Sequence, residues 1–211
     1  MSQTLFALGL GWTAFGVVHS ALLERRVRAL LGRRVGRWAG YRLFYNLTAC
    51  GTLAGMIAWA WSLQSPVVWE VHGPAAWTLR ALQLAGLFLG LGSAWQLGFL
   101  EFVGLRKARP LEGDAAPPLI VDGLYRVCRH PMGLGFLLMV WGTPRMSTAY
   151  LASACCLTTY LCVGTWLEER ALVAEFGDAY RRYRASVPCL LPWPRRALST
   201  ACVIDGDRGR S

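Results

Sequence analysis

The stretch RHPMGLGFLLMVWGTPRMSTAYLASACCLTTYLCVGTWLEER, residues 129–170, decides the fold. It opens on a guanidinium and an imidazole, closes on two carboxylates and an arginine, and carries only Arg145 as a charge in between. Pro131 to Thr143 is apolar but short, of a length that suits a re-entrant segment as well as a span, whereas Ala149 to Leu167 is long enough to cross a bilayer. Glu168 follows His130 by 38 residues. Halved, that separation gives two legs of about 19 residues, each about 28 Å long as helix, one crossing out and one back. Pro131 suits a first helical turn, where its missing N–H costs nothing, and Thr143-Pro144-Arg145 supplies a turn. The reading predicts a helical hairpin that brings Arg129, His130, Glu168 and Glu169 to one depth at one face of the membrane.

Three more apolar runs are long enough to span: Leu5–Leu23, Leu43–Leu63 and Trp77–Leu100. Over 211 residues the chain is 55 % hydrophobic and 16 % charged, which excludes a disordered chain and an ordinary soluble globule. The expected fold is therefore an all-α integral membrane protein with five transmembrane helices. Its net charge of +10 does not point to nucleic acid, because the basic residues sit in blocks between apolar runs. Seven lie in Arg25–Arg42, five in Arg106–Arg129 and eight after Glu169, with only Arg80 and Arg145 elsewhere. Positive loops stay cytoplasmic, so the N-terminus is expected outside and the C-terminus in the cytosol, in a bacterial inner membrane. No basic residue precedes Leu5–Leu23, so that run is expected to be retained as a span and not cleaved as a signal peptide.

Within this frame, Arg25–Gly40 spaces Val27, Leu30, Leu31, Val35 and Trp38 like a helix among arginines. Either a helix lying at the anionic surface or a plain basic connector satisfies that pattern. Gly104–Pro118 reads as a loop. Residues 1–196 read as one domain, and 197–211 as a polar, disordered tail. The seven cysteines show no CxxC spacing, so neither disulfides nor a metal site is expected. Beyond the hairpin, Tyr180 and Tyr183 fall three apart on one face of an amphipathic cytosolic helix that Pro188 and Pro192 bring to an end.

The series GLYRVCRHP, LEER and GDAYRRYRASVPCLLP, over about residues 119–192, resembles the cofactor region of the isoprenylcysteine carboxyl methyltransferase superfamily of membrane enzymes. Val18-His19-Ser20-Ala21, Tyr41-Arg-Leu-Phe-Tyr45-Asn46, Phe102-Val-Gly-Leu-Arg106 and Trp141-Gly-Thr-Pro-Arg-Met146 resemble the methanethiol S-methyltransferases within it. The resemblance implies S-adenosylmethionine as cofactor, held by Tyr125, Arg129, His130, Pro131, Gly135, Glu168, Glu169, Tyr180 and Tyr183. It implies methylation of methanethiol, a small volatile thiol, to dimethyl sulfide. In chemical terms an arginine can pair with the cofactor carboxylate, a glutamate can accept from its ammonium or ribose hydroxyls, and a tyrosine can stack on adenine. Gly135 would let the backbone approach the ligand closely.

One position departs from the family pattern: Gly133 stands where a tyrosine is usual, which leaves the acceptor open. Another thiol, a prenylcysteine carboxylate or a phospholipid amine are alternatives. So is a non-enzymatic membrane protein associated with nitrogen-oxide respiration. The nucleophile is a thiolate, so the thiol must lose a proton. His19, near the cytosolic end of the first span, is the first candidate base, with Arg42, Tyr45 and Asn46 on one helix face to orient it or line the thiol pocket. A histidine that merely packs against Tyr45 or Asn46 fits equally well.

Overall fold

The structure, a computed structural model, describes residues 2–35, 39–106 and 119–190. The tail at 197–211 and most of the loop expected at Gly104–Pro118 lie outside these residues. The chain is mostly helical: α1 (Ser2–Leu23), α2 (Arg25–Val35), α3 (Ala39–Ser62), α4 (Gly73–Gln96), α5 (Phe99–Val103), α6 (Pro131–Trp141), α7 (Thr148–Phe176) and α8 (Asp178–Ser186). Among the described residues, α1, α3, α4 and α7 are long and apolar enough to cross a membrane. The fifth apolar run forms only the 11-residue α6, about 16 Å long and well short of a hydrocarbon core.

Beyond α6 the first leg of the hairpin continues as a turn and a short strand. Gly142–Ser147 leaves the helix and ends in strand β2 (Arg145–Ser147), which pairs antiparallel with β1 (Val67–Glu70) in the register Val67↔Ser147, Trp69↔Met146 and Glu70↔Arg145. Extended chain rises about 3.3 Å per residue against about 1.5 Å in helix. The turn at Gly142–Pro144 and the three-residue strand therefore carry the chain further than α6 alone does. Neither strand was expected from the sequence, and both sit at the end of the hairpin opposite to Arg129. Ser147 turns the chain back by accepting a hydrogen bond from the Tyr150 N–H at 3.3 Å as the N-cap of α7.

Two contacts fix the hairpin. On one side α1 and α3 pack on α7 through Leu8, Trp12, Phe15, Ala60, Ala154 and Leu157. On the other side α6 lies against α4 at backbone distance: a Cβ on Gly135 would come within 2.5 Å of the Gly86 carbonyl oxygen, and one on Gly86 within 2.5 Å of the Gly135 oxygen. Small residues at such a crossing let backbones approach and recover dispersion energy where lipid offers no hydrophobic drive.

Candidate active site

Arg129 and His130 immediately precede α6, and their backbone N–H groups donate to the carbonyls of Pro188 and Cys189 at 2.9 and 3.1 Å. The segment after α8 is thereby tied to the start of α6. The Arg129 side chain, 9 % exposed, reaches across to α7, where Nε and Nη2 both meet Glu169 Oε1, at 2.7 and 2.5 Å. Its Nη1 donates to the carbonyls of Arg184 and Val187. Arg184 Nε approaches the other Glu169 oxygen at 3.5 Å. Nε2 of His130 lies 3.3 Å from Glu169 Oε1, and Nδ1 lies 3.6 Å from Glu168 Oε2. The two ends of the hairpin meet as the spacing of residues predicts.

The meeting engages the Arg129 side chain within the protein. The guanidinium fork expected for a cofactor carboxylate is taken by Glu169 and two main-chain carbonyls, because a carboxylate already fixed on α7 pairs without the entropy of recruiting a ligand. Arg129 thus organises the site. Gly135 is likewise committed: its open side faces Gly86 and Gly90 of α4, so it serves the helix contact and leaves no space there for a ligand. Pro131 is buried at the first position of α6. At Gly133 a Cβ would have only ordinary contacts, with Leu190 at 3.7 Å and His130 at 3.8 Å.

Helix α8 brings its tyrosines inward because Tyr180 and Tyr183 share a face, while Arg181 and Arg182 stay exposed. The rings meet edge to face with centroids 5.8 Å apart. Tyr183 donates its hydroxyl proton to the Tyr125 carbonyl at 2.6 Å, joining α8 to the short 3₁₀ turn Gly123–Arg126. That turn needs glycine at its head: φ of Gly123 is +57°, and the Gln96 amide occupies the space of a Cβ. Burial pushes the Tyr125 phenol up to about 12, helped by the Glu168 carboxylate. Burial likewise pushes Tyr180 up to about 12, with Glu169 adding to it and Arg129 opposing it. The Tyr180 hydroxyl is sealed from solvent beside Arg129 without a well-directed hydrogen bond. Both phenols are neutral at physiological pH.

The N-terminal candidates form a separate cluster. Tyr45 Oη and His19 Nε2 are 2.6 Å apart, and the His19 ring is surrounded by Phe15, Tyr45 and Tyr160 at centroid distances of 5.5, 5.0 and 5.6 Å. Asn46 Nδ2 and Arg42 Nε both donate to the Phe102 carbonyl, at 2.8 and 3.1 Å. Tyr160 and Glu169 are nine residues apart on α7, which at about 100° per residue puts them on opposite faces and about 13 Å apart along the axis. His19 therefore packs against the side of α7 turned away from Glu169. The sequence reading overlooked Arg184 and Cys189. Arg184 was findable, since it falls one turn after Tyr180; Cys189 carried no signal.

From Arg129, Arg184 and Cys189 a groove of about 840 Å³ runs between α4 and α6, walled by leucines and Trp141.

Comparison with known proteins supplies the lineage. Methanethiol S-methyltransferase of Mycobacterium tuberculosis is 38 % identical over 187 residues, which is 86 % of this chain and 75 % of that protein. The chain belongs to the methanethiol S-methyltransferase family. Methanethiol S-methyltransferase 1 of Bradyrhizobium diazoefficiens is 35 % identical over 86 % of this chain, and the chain spans 64 % of that protein's length. The superfamily link appears in protein-S-isoprenylcysteine O-methyltransferase of Schizosaccharomyces pombe, 32 % identical over 77 residues, 35 % of this chain and 33 % of that protein. No family model and no solved structure matches the chain. The methanethiol S-methyltransferase likeness covers most of the chain, as the sequence reading expects.

Proposed function

We propose that this chain methylates methanethiol, with S-adenosylmethionine as donor, to give dimethyl sulfide. The observation that carries the reading is the convergence of Arg129 and His130 with Glu168 and Glu169 in a chain of this family. The donor set suits a cationic, polar cofactor. Glu168 offers a carboxylate that is 62 % exposed and able to accept from an ammonium or from ribose hydroxyls, Tyr180 keeps a buried hydroxyl, and Tyr125 and Tyr183 add neutral rings. When bound, S-adenosylmethionine supplies an electrophilic methyl on a cationic sulfur.

In this reading Arg129 and Arg184 hold Glu169 in one orientation, and His130 bridges both glutamates. Pro131, Leu134 and Leu190 keep water from the inner end of the site. Charge is neutralised as the methyl passes to a thiolate, so exclusion of water favours the transfer. Tyr45 joins α3 to α1 through His19, Arg42 and Asn46 join α3 to α5, and these residues act by positioning. We read the arginine-rich segments and the site as facing the cytosol, with α6 and the extended chain after it completing the fifth crossing.

The test supplies methyl-labelled S-adenosylmethionine and methanethiol to purified protein and looks for labelled dimethyl sulfide in the headspace. Label found only on lipid or on other thiols replaces the acceptor and keeps the methyltransferase. Folded protein that neither binds the donor nor transfers label overturns the reading.

A further inference from the structure

The amino-acid end of the proposed donor is a zwitterion, an ammonium and a carboxylate on one carbon, so a site that holds it needs both signs of charge. Glu168 offers the negative one. The positive one is not Arg129, whose guanidinium is engaged by Glu169 and by the carbonyls of Arg184 and Val187. Nor is it His130, since both of its ring nitrogens turn to glutamates.

Helix α8 carries the other cations. Arg181 pairs with Asp178 at 2.7 Å on the exposed side, and Arg182, also exposed, lies about 200° round the helix from Tyr180. Arg184 differs. One turn after Tyr180, it flanks the tyrosine face and enters the cluster, with Nε 3.5 Å from Glu169 Oε2 and a side chain 56 % exposed. Among the described residues its two Nη groups have no hydrogen-bond or ion-pair partner. A guanidinium steadied at one nitrogen and open at the other two offers a carboxylate a pair of donors in one plane. The buried Arg129–Glu169 pair is thus flanked by Glu168, which meets it through His130 at 3.6 Å, and by Arg184, which meets it through Glu169.

We propose that Arg184 binds the carboxylate at the amino-acid end of the methyl donor. The inference rests on the methyl-transfer reading and adds to it a residue that the resemblance does not name. It also gives the site a criterion: a sulfonium that carries an intact amino acid is held at both charges, and one without the carboxylate is not.

Calorimetry on the full chain in detergent compares S-adenosylmethionine with its decarboxylated analogue, which keeps the sulfonium, the ammonium and the nucleoside. Wild type is expected to bind the intact donor about tenfold more tightly, the strength of a charge-assisted pair. Arg184→Gln lowers affinity for the intact donor to that of the analogue and leaves the analogue's own affinity within about twofold, while Arg184→Lys keeps part of the preference. Arg181→Gln, on the exposed side of α8, keeps all of it. The analogue's unchanged affinity reports an intact site, which a purely structural role of Arg184 would not leave. A preference unaltered in Arg184→Gln, or affinity for both donors lowered by one factor, overturns the inference. So does wild type that binds the two donors equally and still releases labelled dimethyl sulfide, a result that keeps the proposed function. Wild type that binds neither donor and transfers no label overturns both.

Discussion

Glu168 and Glu169 are neighbours in the chain and occupy different media: the Glu168 side chain is 62 % exposed, that of Glu169 11 %. Successive helical residues point about 100° apart, so at this depth on α7 one carboxylate faces water and the other faces Arg129. The inner one completes the protein, and in the proposed function the outer one is left for the cofactor. Their substitutions should fail in different ways.

Arg129→Ala strands the Glu169 carboxylate and releases the carbonyls of Arg184 and Val187. Breaking a buried ion pair from one side costs about 3–5 kcal/mol. Thermal unfolding in detergent is expected to show that loss for Arg129→Ala, and a comparable one for Glu169→Ala. Tm values within a degree of wild type would refute the structural role.

Glu168→Ala is expected to leave Tm unchanged, since the exposed carboxylate makes one long contact with His130 and such pairs contribute about 0–1 kcal/mol. Calorimetry with S-adenosylmethionine should nonetheless show affinity reduced at least tenfold. Unaltered affinity would remove Glu168 from the cofactor site.

At the α4–α6 contact, Gly135→Ala forces a methyl against the Gly86 carbonyl at 2.5 Å, and overpacking of this kind costs about 1–3 kcal/mol. Gly133→Ala meets nothing nearer than 3.7 Å and should be tolerated. Equal stability of the two variants, measured by thermal unfolding, would contradict the crossing described for α4 and α6.

Alkaline pH should weaken the fold through the tyrosines. Tyr125 and Tyr180 are raised by burial from 10.0 to about 12, so the folded state holds protons that the unfolded state releases. Their contribution is fully present below pH 10, falls as pH rises toward about 12 and is gone above it. Tyr125→Phe is expected to flatten this decline in Tm, and an unaltered slope would show that Tyr125 titrates normally.

His19→Gln separates a base from a clasp. With His19 on the far side of α7 from Glu169, the rate of methyl transfer should drop by the same factor at neutral and at alkaline pH. Recovery at high pH, where thiolate forms unaided, would restore His19 as the base.

The residues that make the hairpin were legible because charge is so costly in hydrocarbon that His130 and Glu168 had to end at the boundary, and the 38 residues between them match two crossings. The tyrosine face of α8 was legible for a similar reason, as a three-residue spacing admits one helical face. The partners of each group were not. Nothing in the sequence names the partners of Arg129, and only the position of Glu169 and of the carbonyls after α8 shows them. The His19 cluster drew attention because histidine is rare inside a span, yet nothing in its neighbours reveals which face of α7 it meets.

Sequence alone determined that the chain is a helical membrane protein with long apolar runs, and which charged groups meet at the ends of the hairpin, because these follow from hydrophobic length and the cost of burying charge. Tertiary structure decided the rest: that α6 is short and finished by a strand, that Gly135 faces α4, and that a leucine-walled groove ends at the charged cluster. Those outcomes depend on how backbones approach between segments distant in sequence, where a one-residue rotation of about 100° exchanges a packed face for an open one.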